Sequence, residues 1–165
     1  MSERTESIIA LIVCVFILLA TILAIPSEGA DGIAALFSKY NSKQSDEIAQ
    51  IVRSTAKDYG VNPNIIASII VHESGVRPWA VSKGRDYGLM QIRWRVHRKS
   101  YPELKSPDAL LDVGTNIRIG TEIFARYYVQ KKTIKGALLR YSGGNVGLTN
   151  RELRTFERLE SCFRR

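Results

Sequence analysis

Apolar residues are distributed very unevenly along the chain. From Ile8 to Ile25 every side chain is apolar except the single hydroxyl of Thr21. At about 1.5 Å per residue this run makes a helix roughly 27 Å long, enough for a hydrocarbon core. A secretory h-region is usually shorter and follows a positive flank, whereas here Arg4 and the amino terminus are balanced by Glu3 and Glu6. A domain of about 120 residues seldom encloses a helix that is apolar on every side. Residues 8–25 are therefore read as a transmembrane anchor, with an uncleaved signal as the alternative, after a short flank at 1–7. The near-neutral flank and the later Lys39 and Lys43 leave its orientation open. Residues 26–44 mix Gly, Ser, Lys and Pro around one apolar patch, Ile33 to Phe37, and read as a tether.

Beyond residue 44 the periodicity is helical and nothing reads as a sheet, so the expected fold is mainly α. Ser45 is placed as a cap, with Asp46 and Glu47 in the first turn of a helix whose stripe is Ile48, Ile51, Val52, Ala56 and Tyr59 and whose stop is Gly60. Asn62 and Pro63 open a second helix through Ile65, Ile66, Ile69 and Ile70 to Gly75. Asp112 or the pair Pro107–Asp108 starts a longer one through Asn116, Ile119, Gly120, Ile123 and Phe124. Thr149-Asn150-Arg151-Glu152 reads as a capping box for a terminal helix facing inward with Leu153, Phe156, Leu159 and Phe163. Between Gly75 and Gly88 lies a loop of turn formers with two large aromatics, where binding groups concentrate.

Composition changes this picture in two ways. The 165 residues carry 24 Lys+Arg against 16 Asp+Glu, a net +8. Without the first 25 residues, 23 basic and 14 acidic side chains remain, a net +9 that favours an anionic partner: nucleic acid, lipid head groups or an acidic wall polymer. Two cysteines, Cys14 in the apolar run and Cys162 near the end, exclude a disulfide framework and are read as free thiols.

Glu73 follows Ile66 and Ile70 by seven and three residues, which puts it on the face those isoleucines bury. A carboxyl there is desolvated and keeps its proton near neutrality, as a general acid must. Spacing alone leaves open whether a frayed helix end turns Glu73 into water. His72-Glu73 lacks the second histidine of a zinc-protease helix, since position 76 is Val, and His72 and His97 are 25 residues apart. No metal site and no cofactor is expected.

Glu73-Ser74, Gly88-Leu89-Met90-Gln91, the pair Asn116 and Gly120, and Tyr141-Ser142-Gly143-Gly144 follow in that order. Together they resemble a lytic transglycosylase of the soluble type, in the lysozyme-like superfamily, over residues 46–148. The run Asp86 to Ile92 is similar to small members that accompany secretion systems, conjugation machines, pili and bacteriophages. The resemblance implies a lysozyme-like helical domain over residues 45–165, held by its anchor on the periplasmic or outer side of a membrane, in a bacterium or a virion, and partnered with such a machine.

The implied substrate is the peptidoglycan glycan strand, cut between N-acetylmuramic acid and N-acetylglucosamine with a 1,6-anhydro end. By resemblance Glu73 acts as acid and then base. Ser74 orients substrate side groups, Met90 keeps the carboxyl dry, Gln91 bonds sugar, Asn116 faces across the cleft with Gly120 allowing close helix approach, and the Tyr141 hydroxyl bonds Glu73. Ser142 replaces the family's usual Asn.

Asp86 is the second carboxylate if the enzyme is instead a hydrolase like goose-type lysozyme, and otherwise caps its own turn. Trp79, Tyr87 and Tyr101 offer flat faces to sugar rings. The basic run Arg93 to Lys99, with Trp94 inside it, suits acidic wall polymers or a solvated helix face. Ser142 and the tether also fit a non-catalytic wall-binding assembly module, and the net charge more distantly fits a nucleic-acid binder.

Overall fold

A computed structural model describes residues 30–162. The expected membrane segment, the flank before it, the first part of the tether and Phe163 lie outside the described residues. Among the described residues no helix is long and apolar enough to cross a membrane.

Seven α-helices carry this part of the chain: α1 Ala30–Ser38, α2 Ser45–Asp58, α3 Pro63–Ser74, α4 Trp94–His97, α5 Val113–Lys131, α6 Ile134–Tyr141 and α7 Val146–Cys162. Two strands of two residues, β1 Asp86–Tyr87 and β2 Ile92–Arg93, pair antiparallel with Tyr87 opposite Ile92. Val81 bridges Tyr87 beside them. Strands this short carry no periodicity, which is why the sequence pattern shows no sheet.

The centre of the domain is α3. Its residues Ile65, Ile66, Ala67, Ile69 and Ile70 are at most 1% exposed, because α2, α7 and α1 pack around it. A domain of this size does enclose a helix that is apolar nearly all round, provided the helix is short. Local chemistry sets its ends: Asn62 Oδ1 accepts the Asn64 N–H at 2.9 Å, Pro63 opens the first turn, and Gly75 ends it in the left-handed region. Part of the expected tether belongs to the domain, since α1 buries Ile33, Leu36 and Phe37.

Two helix starts differ from expectation, and at a third the structure takes the Asp112 alternative. Ser45 is the first helical residue rather than the cap, and its hydroxyl turns back to the Ser42 carbonyl. Pro107–Leu111 forms a 3-10 turn that leads into α5, which Asp112 caps by accepting the Thr115 N–H at 2.8 Å. The terminal helix starts before Thr149, with Asn145 Oδ1 accepting the Leu148 N–H at 3.0 Å. Thr149 instead lies one turn inside α7, and its hydroxyl donates to the Asn145 carbonyl at 2.9 Å. Glu152, freed from the expected box, points into the core at 0% exposure.

The loop between β1 and β2 meets α5 without spare room. A Cβ on Gly120 would lie inside van der Waals contact of the Met90 sulfur and, at 2.9 Å, of its Cβ and Cε. The glycine thus admits the Met90 side chain rather than a neighbouring helix. Gly120→Ala is expected to lower stability by about 1–3 kcal/mol through overpacking, read as a lower urea midpoint with an unchanged slope.

Candidate active site

Glu73 sits in the last turn of α3, half-buried, where the apolar face of the helix reaches the surface. Two depressions meet at it. One, of about 350 Å³, is walled by Asp86, Arg93, His97, Tyr127, Arg140 and Tyr141 among others. The second, of about 390 Å³, is walled by Arg77, Trp79 and Ser82. Glu73 and Gln91 belong to both, so they stand at the middle of one groove.

The groove floor is the turn Gly88-Leu89-Met90-Gln91, fixed by bonds from three directions. Asn116, 1% exposed on α5, accepts the Met90 N–H at 2.8 Å and donates to the carbonyls of Tyr87 at 2.8 Å and Leu110 at 2.7 Å. Tyr141 on α6 donates its hydroxyl to the Met90 carbonyl at 2.9 Å. Gly88, at φ +75°, donates its N–H to Ala80 at 2.8 Å, and a Cβ there would collide with the Asn116 amide and the Leu110 carbonyl. Gln91 takes φ +47° and donates its amide to the carbonyls of Ala80 and Gly88, at 3.1 and 2.9 Å.

The residues singled out from the sequence fall into two layers. Glu73, Gln91 and Tyr141 reach the groove surface. Ser74, Met90 and Asn116 lie behind it, each at 1% exposure or less. Ser74 donates to the Ile70 carbonyl at 3.1 Å, as a helix-terminal hydroxyl does. Asn116 does not face across the cleft, because its amide is consumed by the turn. The Tyr141 hydroxyl, expected on Glu73, goes to the Met90 carbonyl instead. Ser142 lies in the groove wall and ties the corner between α6 and α7, contacting Thr149 Oγ1 at 3.1 Å.

Among the aromatics, Trp79 is 66% exposed in the second depression. Tyr101 is buried, with its hydroxyl taking an Arg126 hydrogen bond at 2.6 Å, so it offers no face to a ligand. Sequence reasoning missed Tyr127 and did not foresee Arg140 as a wall residue. Tyr127 packs edge-on against Tyr141 with centroids 6.5 Å apart, and the Arg140 guanidinium lies 5.4 Å from its ring centre. Tyr127 lies one helical heptad after Gly120, and that spacing is the only signal it carried.

Burial pushes the Glu73 carboxyl up from 4.5 to about 7, and the negative charge of Asp86 adds to the rise. Asp86 itself is tightly matched. Its two oxygens take Arg93 Nε at 2.7 Å and Nη2 at 3.0 Å, and Ser82 donates to it at 3.0 Å. His97, in the same wall, is held below its usual range by burial and by Arg126. Among the described residues no group of His, Cys, Asp and Glu could hold a metal ion.

The family model for the transglycosylase SLT domain matches residues 50–161, the stretch that contains this groove. The chain belongs to the transglycosylase SLT family. Within that family it is 36% identical over 93 residues to the membrane-bound lytic murein transglycosylase E of Buchnera aphidicola subsp. Acyrthosiphon pisum, across 51% of this chain and 40% of that protein. It is 33% identical over 92 residues to the membrane-bound lytic murein transglycosylase C of Yersinia pestis, across 52% of this chain and 26% of that protein. The chain therefore covers less than half the length of these curated relatives.

Two expectations follow for this SLT domain. Asn116→Ala strands one N–H and two carbonyls and is expected to cost about 3 kcal/mol, seen in urea unfolding, with any ligand binding in the groove lost before the fold. For Glu73, folded and unfolded chains both hold the proton below 4.5, while between 4.5 and about 7 the unfolded chain ionises first. That part of the stability is thus lost as pH rises. Glu73→Gln should gain on the wild type in urea midpoint at pH 8 relative to pH 5.

Proposed function

We propose that this chain is a peptidoglycan lytic transglycosylase, held at a membrane by residues 8–25 with the groove on the periplasmic or outer side. The single observation that carries the reading is the place of Glu73, a carboxyl that burial pushes up to about 7, at the midpoint of a groove extending to both sides of it, as a polymer cut between two sugars requires. The family membership and the lytic murein transglycosylase relatives support the same reading, and the net +9 of the chain after residue 25 suits an anionic wall.

In the proposed reaction the Glu73 carboxylic acid gives its proton to the glycosidic oxygen as that oxygen leaves C1 of N-acetylmuramic acid. The resulting carboxylate then removes the C6 hydroxyl proton, and O6 bonds to C1 to close the 1,6-anhydro ring. No water is consumed, and Glu73 ends as it began. Gln91 supplies a hydrogen-bond acceptor beside the cut bond, and exposed Trp79 a flat face for a sugar ring one step along the groove. Membrane attachment would hold the groove near the wall, and a secretion, conjugation or virion complex would choose where the wall is opened.

Hydrolysis with Asp86 as second carboxylate is the competing chemistry, since Asp86 stands in the same wall as Glu73. Its bidentate pairing with Arg93 speaks against that role, because a base that activates water needs a free oxygen. Detergent-solubilised full-length chain incubated with sacculi should release muropeptides lighter by one water than hydrolytic products, read by mass spectrometry. Glu73→Gln should lower the rate by about 10³-fold with the fold intact. Reducing-end products would overturn the lyase chemistry, and no release at all would overturn the activity.

A further inference from the structure

Glu152 is the one carboxylate among the described residues whose two oxygens are both buried without a hydrogen-bond partner, in a side chain with 0% exposure. Trp94 Nε1 and Thr121 Oγ1 are also buried without a partner, but neither carries a charge, whereas Asn116 is matched three times over and Asn64 through Glu160 at 2.7 Å. Native folds keep so costly a group only where something else requires it.

Its surroundings indicate what that is. Glu152 lies on the inward face of α7, which packs on α3 and α6 and touches α1. From α3 the charge of Glu73 reaches it, and burial together with that charge raises its carboxyl to about 8, against a smaller opposing effect of Arg151 on its own helix. From α6 comes Tyr141, whose proton affinity is raised by burial first and then by the charges of Glu73 and Glu152. His72, also on α3, turns to Thr155 and stands under Arg151, Arg154 and Arg158. Residues 32–38 of α1 carry no titratable side chain. Two carboxyls and a phenol therefore influence one another where α3, α6 and α7 meet, with Glu73 and Tyr141 on the groove side and Glu152 buried behind them.

We propose that Glu152 is a positioning residue for the reaction of Glu73: a carboxylic acid that keeps its proton throughout turnover, so that the volume behind the groove stays neutral while Glu73 alternates between acid and carboxylate. This rests on the lytic reading above. Glu152 neither gives nor takes a proton; the only proton moved goes from Glu73 to the leaving oxygen and returns from the C6 hydroxyl. If Glu152 ionised, the carboxylate that Glu73 must form midway would face a second negative charge. Only the enzyme with both protons in place turns over.

The pH profile of kcat/KM on sacculi separates this role from a merely structural one. In the wild type the rate should fall tenfold per pH unit above about 7, as Glu73 loses its proton, and a hundredfold per unit above about 8, as Glu152 follows. Glu152→Gln stays neutral, so its rate near pH 6 should lie within about threefold of wild type and its alkaline limb should keep the tenfold slope. A wild-type limb that never steepens, or a folded Glu152→Gln variant whose limb still steepens, overturns the proposal.

Carbon NMR of the full-length chain labelled at the glutamate carboxyls supplies a readout independent of turnover. One signal should titrate near 8 and vanish in Glu152→Gln, and Glu73→Gln should lower its midpoint by removing the neighbouring charge. A Glu152 signal that titrates in the ordinary carboxylate range, or ignores Glu73→Gln, sinks the coupling even if no product is ever released. Absent turnover with an intact coupled titration would instead refute the lytic activity, and with it the positioning role.

Discussion

The peptide unit of Met90 is the point on which the candidate site depends. Its N–H is held by Asn116 from α5 and its carbonyl by Tyr141 from α6, so two helices far apart in sequence grip the two sides of one residue. The Met90 side chain fills the gap that Gly120 leaves on α5. Every conformational oddity of the turn follows from this grip: Gly88 has to yield space to the Asn116 amide, and Gln91 accepts a left-handed backbone so that the chain can leave toward β2. The groove thus has a floor whose height is set by the core.

Above and behind that floor stand three carboxyls with three different fates, and the difference lies in their partners. Asp86 has a bidentate arginine and a serine hydroxyl. Glu73 is half-buried and has the negative charge of Asp86 nearby rather than a cation. Glu152 is fully buried and takes no hydrogen bond from the described residues. Burial without a partner raises proton affinity, and pairing with a guanidinium offsets it. Despite the large surplus of basic residues, none of the ion pairs among the described residues involves Glu73 or Glu152. Arg93 is spent on Asp86, while Arg151, Arg154 and Arg158 line a separate pocket with His72.

What could be read from the sequence was whatever local chemistry decides. The α3 boundaries were legible because Asn62, Pro63 and Gly75 act within one turn, and helical spacing put Glu73 on the face of Ile66 and Ile70 while leaving its burial open. The Thr149 box misled because Thr-x-x-Glu satisfies its pattern anywhere on a helix, while the true cap, Asn145, follows two glycines and looks like part of a turn. Ser74, Met90 and Asn116 were found as residues but placed one layer too far forward. Their roles depend on contacts such as that of Asn116 with Met90, 26 residues away, and no periodicity reports a contact of that separation. Tyr127 and the buried side of Glu152 depend equally on how α5, α6 and α7 meet.

The tight fit of Met90 against Gly120 also bears on cooperativity. Loops that carry binding groups commonly open by themselves, at a free energy well below that of global unfolding. Here the turn shares its hydrogen bonds with two helices and inserts its side chain into the core, so it cannot detach without exposing a cavity beside α5. The turn under the groove and the hydrophobic core are consequently expected to unfold as one unit, with the groove keeping its shape for as long as the domain keeps its fold.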